Sequence, residues 1–262
     1  MVLSPAAALA GPVALLFPGQ GVQQAGMGRR LAAFSTAADR ALTRAQEVLD
    51  MPVRRLCFEG PLPELLRTEN LQPCLLAVSW AAFECFSERF SMDEVKVVAG
   101  HSMGEISACA AADAVSWEQA LLLVRERGRL MADCALARPG RMLAVVGLSE
   151  RQVEAIRVRA QAAGGIWLAN VNSKDQFILS GEPQAVAAAE RLAQEAGARR
   201  VVVLDVPLGA HSPLMERASA RLSEIVRALP LHPPSIPLVA NGTGHLLRTA
   251  SSLRSELTGH LL

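Results

Sequence analysis

Residues 95–105 constrain the fold more than any other stretch of this 262-residue chain. Val95-Lys96-Val97-Val98-Ala99 reads as a buried strand, Gly100-His101-Ser102-Met103-Gly104 as a G-x-S-x-G turn, and residues 103–113 as a helix. A strand-to-helix turn this tight has no room for Cβ atoms at its flanks, which Gly100 and Gly104 lack, and it presents Ser102 at the helix N-terminus. The backbone N–H of Met103 has no partner within the helix there and can stabilise an oxyanion on an acyl group. The bare pattern also arises as a chance glycine-rich turn; a strand before it and a helix after it favour a nucleophile.

A serine hydroxyl needs a base. The chain has five histidines: His101, His211, His232, His245 and His260. His101 adjoins Ser102, but neighbouring side chains on such an elbow point apart, so it reads as lining the substrate site and not as the base. His211 follows a strand and opens a helix, which in a parallel sheet puts it at the same carboxyl edge as Ser102. A lone histidine is more often structural; this position favours the base. His232, His245 and His260 fall in Pro-rich or exposed segments and are expected to be solvated.

Short apolar runs alternate with longer amphipathic stretches, the pattern of an α/β protein with a largely parallel sheet. Strands are expected at Val13–Phe17 and Val95–Ala99, and helices at Phe34–Asp50, Gln72–Phe90 and 117–133. Ser116 followed by Gln119 marks a capped start for the last of these. From about residue 138 the texture changes. Strands at Met142–Val146, Ile166–Val171, Phe177–Ser180 and Arg200–Leu204, with helices at Glu150–Ala163 and Pro183–Ala196, give a βαββαβ order, the ferredoxin-like arrangement. The expected organisation is an α/β-hydrolase-like large subdomain over 11–137 and 207–262, with a ferredoxin-like α+β subdomain inserted at 138–206.

Hydrophobic residues make up 51% of the chain and charged residues 19%, enough apolar material for a sizeable core. A net charge of +1, with no tyrosine, argues against nucleic-acid partners and an anionic membrane surface. No run of 18 or more apolar residues suggests a transmembrane span. Residues 1–10 read as a loose leader, since the apolar start lacks a basic region and a cleavage site. Cys57, Cys74, Cys85, Cys109 and Cys134 are odd in number and show no CxxC pair, so neither disulfides nor a zinc site is expected; four of them sit in apolar, helix-like surroundings and read as buried reduced thiols, which fits a cytoplasmic protein.

The chain resembles the malonyl-CoA:acyl carrier protein transacylase family, which includes the acyltransferase domains of fatty-acid and polyketide synthases. The resemblance rests on Phe17-Pro18-Gly19-Gln20-Gly21, Gly100-His101-Ser102-Met103-Gly104-Glu105, Arg127-Gly128 with Met131, Asn172-Ser173, and Ala210-His211-Ser212-Pro213-Leu214-Met215, in that order over residues 13 to 245. It implies that Ser102 is acylated with His211 as its base, a dyad without an essential carboxylate. It further implies that the backbone N–H groups of Gln20 and Met103 form the oxyanion hole and that Arg127 holds the malonyl carboxylate. A guanidinium fork suits a carboxylate, and Gly128 permits close packing of the Arg127 helix. The alternative is a surface arginine paired with Glu126 or Asp133. Gln72 resembles the family's glutamine near the site; helix N-cap or turn duty is an equal reading.

Two departures stand out. Relatives often carry Phe or Ser before the histidine, at a position lining the acyl pocket; Ala210 stands here and is expected to widen it, which leaves methylmalonyl or another branched extender open while malonyl remains the first choice. The chain also ends at Leu262, where relatives continue for several tens of residues. The C-terminus therefore reads as truncated, with reduced stability and activity or completion by another polypeptide as the expectation. The resemblance implies malonyl-CoA and an acyl carrier protein as partners, other synthase domains among the candidates, and neither metal nor tightly bound cofactor. An editing hydrolase on carrier-bound chains, a malonate-decarboxylase-associated transacylase and a non-catalytic synthase fragment are the competing readings.

Overall fold

The computed structural model describes residues 11–262, so the leader expected over residues 1–10 lies outside the described residues. In chain order the elements are β1 (Val13–Phe17), α1 (Arg29–Phe34), α2 (Thr36–Leu49), α3 (Val53–Phe58), α4 (Leu62–Leu65), α5 (Thr68–Ser87), β2 (Val95–Gly100), α6 (Gly104–Ala111) and α7 (Trp117–Ala137). Then come β3 (Arg141–Val146), α8 (Glu150–Ala160), β4 (Ile166–Ser173), β5 (Gln176–Gly181), α9 (Pro183–Glu195), β6 (Arg200–Val203), α10 (Glu216–Ala228), β7 (Leu238–Val239), β8 (Leu246–Leu247) and α11 (Ala250–Thr258). The described chain forms two compact units, one of residues 11–129 and 223–258, the other of residues 130–222 and 259–262.

The first unit is built on a sheet of order β1-β2-β7-β8. β2 lies parallel to β1, from Val13 opposite Val95 to Phe17 opposite Gly100, and parallel to β7, with Val98 opposite Leu238 and Ala99 opposite Val239. The expected parallel pairing joins β1, β2 and β7, while β8 at the edge runs antiparallel to β7, because only six residues separate the two strands and a parallel return needs a crossover of a dozen or more. Parallel strands share a carboxyl edge. The residues after Phe17, Gly100 and Val239 therefore emerge side by side, which is where α/β sheets place ligand-binding groups.

The helices of this unit follow their apolar stripes. α2 buries Ala38, Ala41, Leu42, Ala45 and Leu49 along one face and packs on α5. Ser35 caps it, its Oγ accepting from the Ala38 N–H at 3.2 Å. Ser116 caps α7 as expected, accepting from the Gln119 N–H at 3.3 Å. α5 departs from expectation by starting a turn early, at Thr68, with Pro73 inside it. Proline favours a first helical turn, so Gln72-Pro73 imitates a helix start.

The second unit carries an antiparallel sheet of order β4-β5-β3-β6. Alternate residues Leu143 and Val145 of β3 and Phe177 and Leu179 of β5 point into one core, against Val153 and Ile156 of α8 and Val186, Ala189 and Leu192 of α9. Gln152 completes the start of α8, its Oε1 accepting from the Ser149 N–H at 3.0 Å. The five cysteines are free and buried. Among the described residues no helix is long and apolar enough to cross a membrane.

Candidate active site

The turn after β2 needs its glycines. A Cβ on Gly100 would fall on the Gly104 carbonyl group, and one on Gly104 would fall on the carbonyl oxygen of Phe17 at the end of β1. Ser102 sits between them with φ of 49°, in the left-handed region, a conformation that costs an L-residue about 1–2 kcal/mol. Hydrogen bonds hold it there. The His101 N–H donates to the Phe17 carbonyl at 3.0 Å, the Gly104 N–H to the His101 carbonyl at 2.9 Å, and the Glu105 N–H to the Ser102 carbonyl at 2.8 Å. The Ser102 N–H donates to Asn241 Oδ1 at 2.9 Å.

The loop after β1 lies against this elbow. A Cβ on Gly19 would stand 2.6 Å from the His101 carbonyl oxygen, and 3.0 Å from its Nδ1, so only glycine lets the two segments approach. Gln20 follows, its Oε1 accepting from Gln72 Nε2 at 3.3 Å and from Thr68 Oγ1 at 3.4 Å. Met103 is fully buried and immediately precedes α6, while His101 is exposed.

Arg127 is not the surface residue of the alternative reading. Its side chain is 1% exposed, with Nη1 donating to Gln72 Oε1 at 2.8 Å and Nη2 to Ser102 Oγ at 3.0 Å. Gly128 makes this possible: a Cβ there would lie 2.6 Å from the Thr68 carbonyl oxygen, so glycine lets α7 close on the first turn of α5. Gln72 likewise is no cap. It is wholly buried one turn inside α5, its Nε2 on Thr68 Oγ1 at 3.1 Å and its Oε1 holding Arg127. The unit thus brings Ser102, Arg127, Gln72 and Gln20 together.

A buried cation beside a hydroxyl is the distinctive electrostatic feature. Burial pushes the Arg127 pKa down to about 9, and the charge of Glu105 opposes that shift; the guanidinium stays protonated at neutral pH. Burial pushes Glu105 up to about 8, with the Asn241 backbone bond lowering it, Glu256 raising it and Arg127 lowering it. Glu105 Oε1 accepts that bond from the Asn241 N–H at 2.9 Å. The arrangement can accept a carboxylate next to an acylated serine, since a guanidinium with two terminal nitrogens matches one geometrically and electrically.

His211 and Ala210 belong to the other unit. His211 is half-buried with φ of 54°, on a turn where Ser212 Oγ donates to the Gly209 carbonyl at 2.7 Å and accepts from the Leu214 N–H at 3.3 Å. Ala210 is buried. His232 and His245 are exposed, as expected, whereas His260 is buried beside Leu261, since the α11 helix runs on into a last turn that carries both out of solvent while Leu262 stays exposed. Two residues at the first unit's site carry no signal in the sequence: Thr68, hidden by the misplaced helix start, and Asn241, after a strand only two residues long.

Residues 14–249 match the family described as acyl transferase domain. The malonyl CoA-acyl carrier protein transacylase of Bacillus subtilis (strain 168) is 35% identical over 250 residues, covering 95% of this chain and 78% of that protein. The structure of the malonyl CoA-acyl carrier protein transacylase from Coxiella burnetii superposes with a TM-score of 0.91 at 31% identity, covering 96% of this chain and 79% of the other. A malonyl-transacylase solved in complex with its type II PKS acyl-carrier protein also gives 0.91 at 31% identity, covering 96% and 81%.

Proposed function

The chain belongs to the acyl transferase family, and from that premise we propose that it moves a malonyl group from CoA to the phosphopantetheine thiol of an acyl carrier protein, through an ester on Ser102, in fatty-acid or polyketide synthesis. One observation carries the choice of acyl group: the buried Arg127 donates to Ser102 Oγ at 3.0 Å. The free carboxylate of a malonyl ester is three carbons from that oxygen, within reach of the same guanidinium. An uncarboxylated acyl chain offers nothing to offset this buried cation, which speaks against an editing hydrolase.

In this reading His211 takes the proton of Ser102 Oγ as the oxygen attacks the thioester carbonyl. The backbone N–H groups of Gln20 and Met103 hold the oxyanion of the tetrahedral intermediate. Its collapse breaks the C–S bond, and CoA leaves as a thiol with the proton from His211. The carrier thiol then gives its proton to His211, attacks the ester and releases Ser102 by the reverse path. Gln72 fixes the guanidinium throughout, Ala210 borders the acyl group, and His101 lies beside the entering substrate. No step draws on a metal or redox group.

The same reading takes residues 11–137 and 207–262 as an α/β-hydrolase-like subdomain and 138–206 as an inserted ferredoxin-like one. The sheet order β4-β5-β3-β6 and the succession β3-α8-β4-β5-α9-β6 support it. A cytoplasmic location agrees with five free cysteines.

Incubation with radiolabelled malonyl-CoA, followed by mass analysis of the Ser102 peptide, tests the proposal. Label on Ser102 that chases onto a holo carrier protein is the expected result; a Ser102→Ala variant that labels as fast as wild type overturns it.

A further inference from the structure

Asn241 is placed beside Ser102 by the sheet itself. β7 runs parallel to β2 with Val239 opposite Ala99, so Asn241, two residues past Val239, and Ser102, three past Ala99, leave the same edge from adjacent strands. The side chain of Asn241 accepts the Ser102 N–H at 2.9 Å, while its backbone N–H is anchored on the buried Glu105 at 2.9 Å. Glu105 itself lies in the first turn of α6, three residues past the nucleophile. The result is a closed ring from Ser102 through Asn241 and Glu105 and back along the elbow.

Resting on the reading of Ser102 as the acylated nucleophile, we infer that Asn241 is a positioning residue which fixes the Ser102 backbone and so aims Oγ at the incoming acyl group. The bond captures the one N–H whose orientation reports φ of Ser102, held at 49°. Rotation about that angle swings the Cα–Cβ bond and carries Oγ off line. The capture also commits the Ser102 N–H to Asn241, which leaves oxyanion binding to other donors. Because the Glu105 bond uses the Asn241 backbone, removing the side chain deletes the latch and keeps the anchor.

The test compares wild type with Asn241→Ala, Asn241→Leu, which keeps the shape without an acceptor, and Asn241→Asp, which restores one. Single-turnover acylation of Ser102 by malonyl-CoA is measured over a range of donor concentrations. The expected result for Ala and Leu is a maximal acylation rate lowered about tenfold, with the half-saturating donor concentration little changed. The Asp variant recovers most of the rate, and all melting temperatures stay within about 2 °C of wild type. Ala and Leu variants acylating at the wild-type rate overturn the inference, as does an Asp variant slowed as much as the other two. A small serine-directed sulfonyl fluoride, applied to the same set, separates the two claims. Wild type that takes the sulfonyl group on Ser102 but no malonyl group defeats the transfer reading alone, whereas equal sulfonylation of wild type, Ala and Leu defeats the latch.

Discussion

The guanidinium of Arg127 and the hydroxyl of Ser102 are joined by a 3.0 Å hydrogen bond although 25 residues separate them in sequence. Arg127 is held on its other side by Gln72 at 2.8 Å. A buried guanidinium that reaches the serine oxygen can pair with an anionic group carried on that oxygen, and burial strengthens such a pair.

Arg127→Ala should therefore lower malonyl transfer by about a hundredfold or more, the size of a lost pair of charge-assisted bonds. Acetyl transfer should change only a few fold, since no carboxylate is involved. Parallel steady-state rates with malonyl-CoA and acetyl-CoA check this; equal losses for both donors would assign Arg127 a purely structural part.

The elbow makes a prediction about folding as well as rate. A Cβ on Gly104 meets the Phe17 carbonyl oxygen, a backbone atom locked in the β1–β2 ladder and unable to give way. Gly104→Ala should cost about 2 kcal/mol or more through overpacking, and it should abolish labelling of Ser102 by displacing the turn. Denaturant unfolding alongside the labelling assay reads both effects. A fully stable, fully labelled variant would show that β1 can yield.

This elbow was legible because its chemistry is local: strand, glycines, serine and helix start lie within eleven consecutive residues. So was the alternation of β3 and β5 around their core. Arg127 was only half legible, since it flanks the apolar stripe of α7 and its burial depends on how closely Gly128 lets α5 approach. The start of α5 is masked in the sequence because Pro73 imitates a first helical turn. Asn241 was invisible. It acts through a strand of two residues whose pairing with β2 is a long-range event that no local periodicity encodes.

Ala210 bears on donor choice. At this buried position, Ala210→Val adds two methyl groups, and one methyl in a close pocket is worth about tenfold or more in discrimination. The variant should lose methylmalonyl transfer about tenfold more than malonyl transfer, if Ala210 borders the acyl group as proposed. Wild type itself should favour malonyl-CoA. Rate ratios for the two donors decide both points, and a preference of wild type above about tenfold for the branched donor would reverse the assignment.

Glu105 sets a pH dependence whose sign follows from its burial. Its carboxyl titrates near 4.5 when unfolded and near 8 in the folded protein. Below pH 4.5 both states hold the proton and the folded protein bears no penalty. Between these values the unfolded chain has released the proton and the folded one retains it, so stability falls as pH rises; above about 8 the loss is complete. A shift of this size corresponds to a loss on the order of 3–5 kcal/mol. Arg127 adds no slope in this window, because its pKa of about 9 lies above it and the group is charged in both states. Glu105→Gln keeps an oxygen to accept the Asn241 N–H and cannot ionise. Urea unfolding at several pH values from about 5 to 8 should show the Gln variant gaining on wild type as pH rises. Parallel curves would mean that Glu105 ionises in the folded state as readily as in the unfolded one, and that the burial of its carboxyl is not what governs its charge.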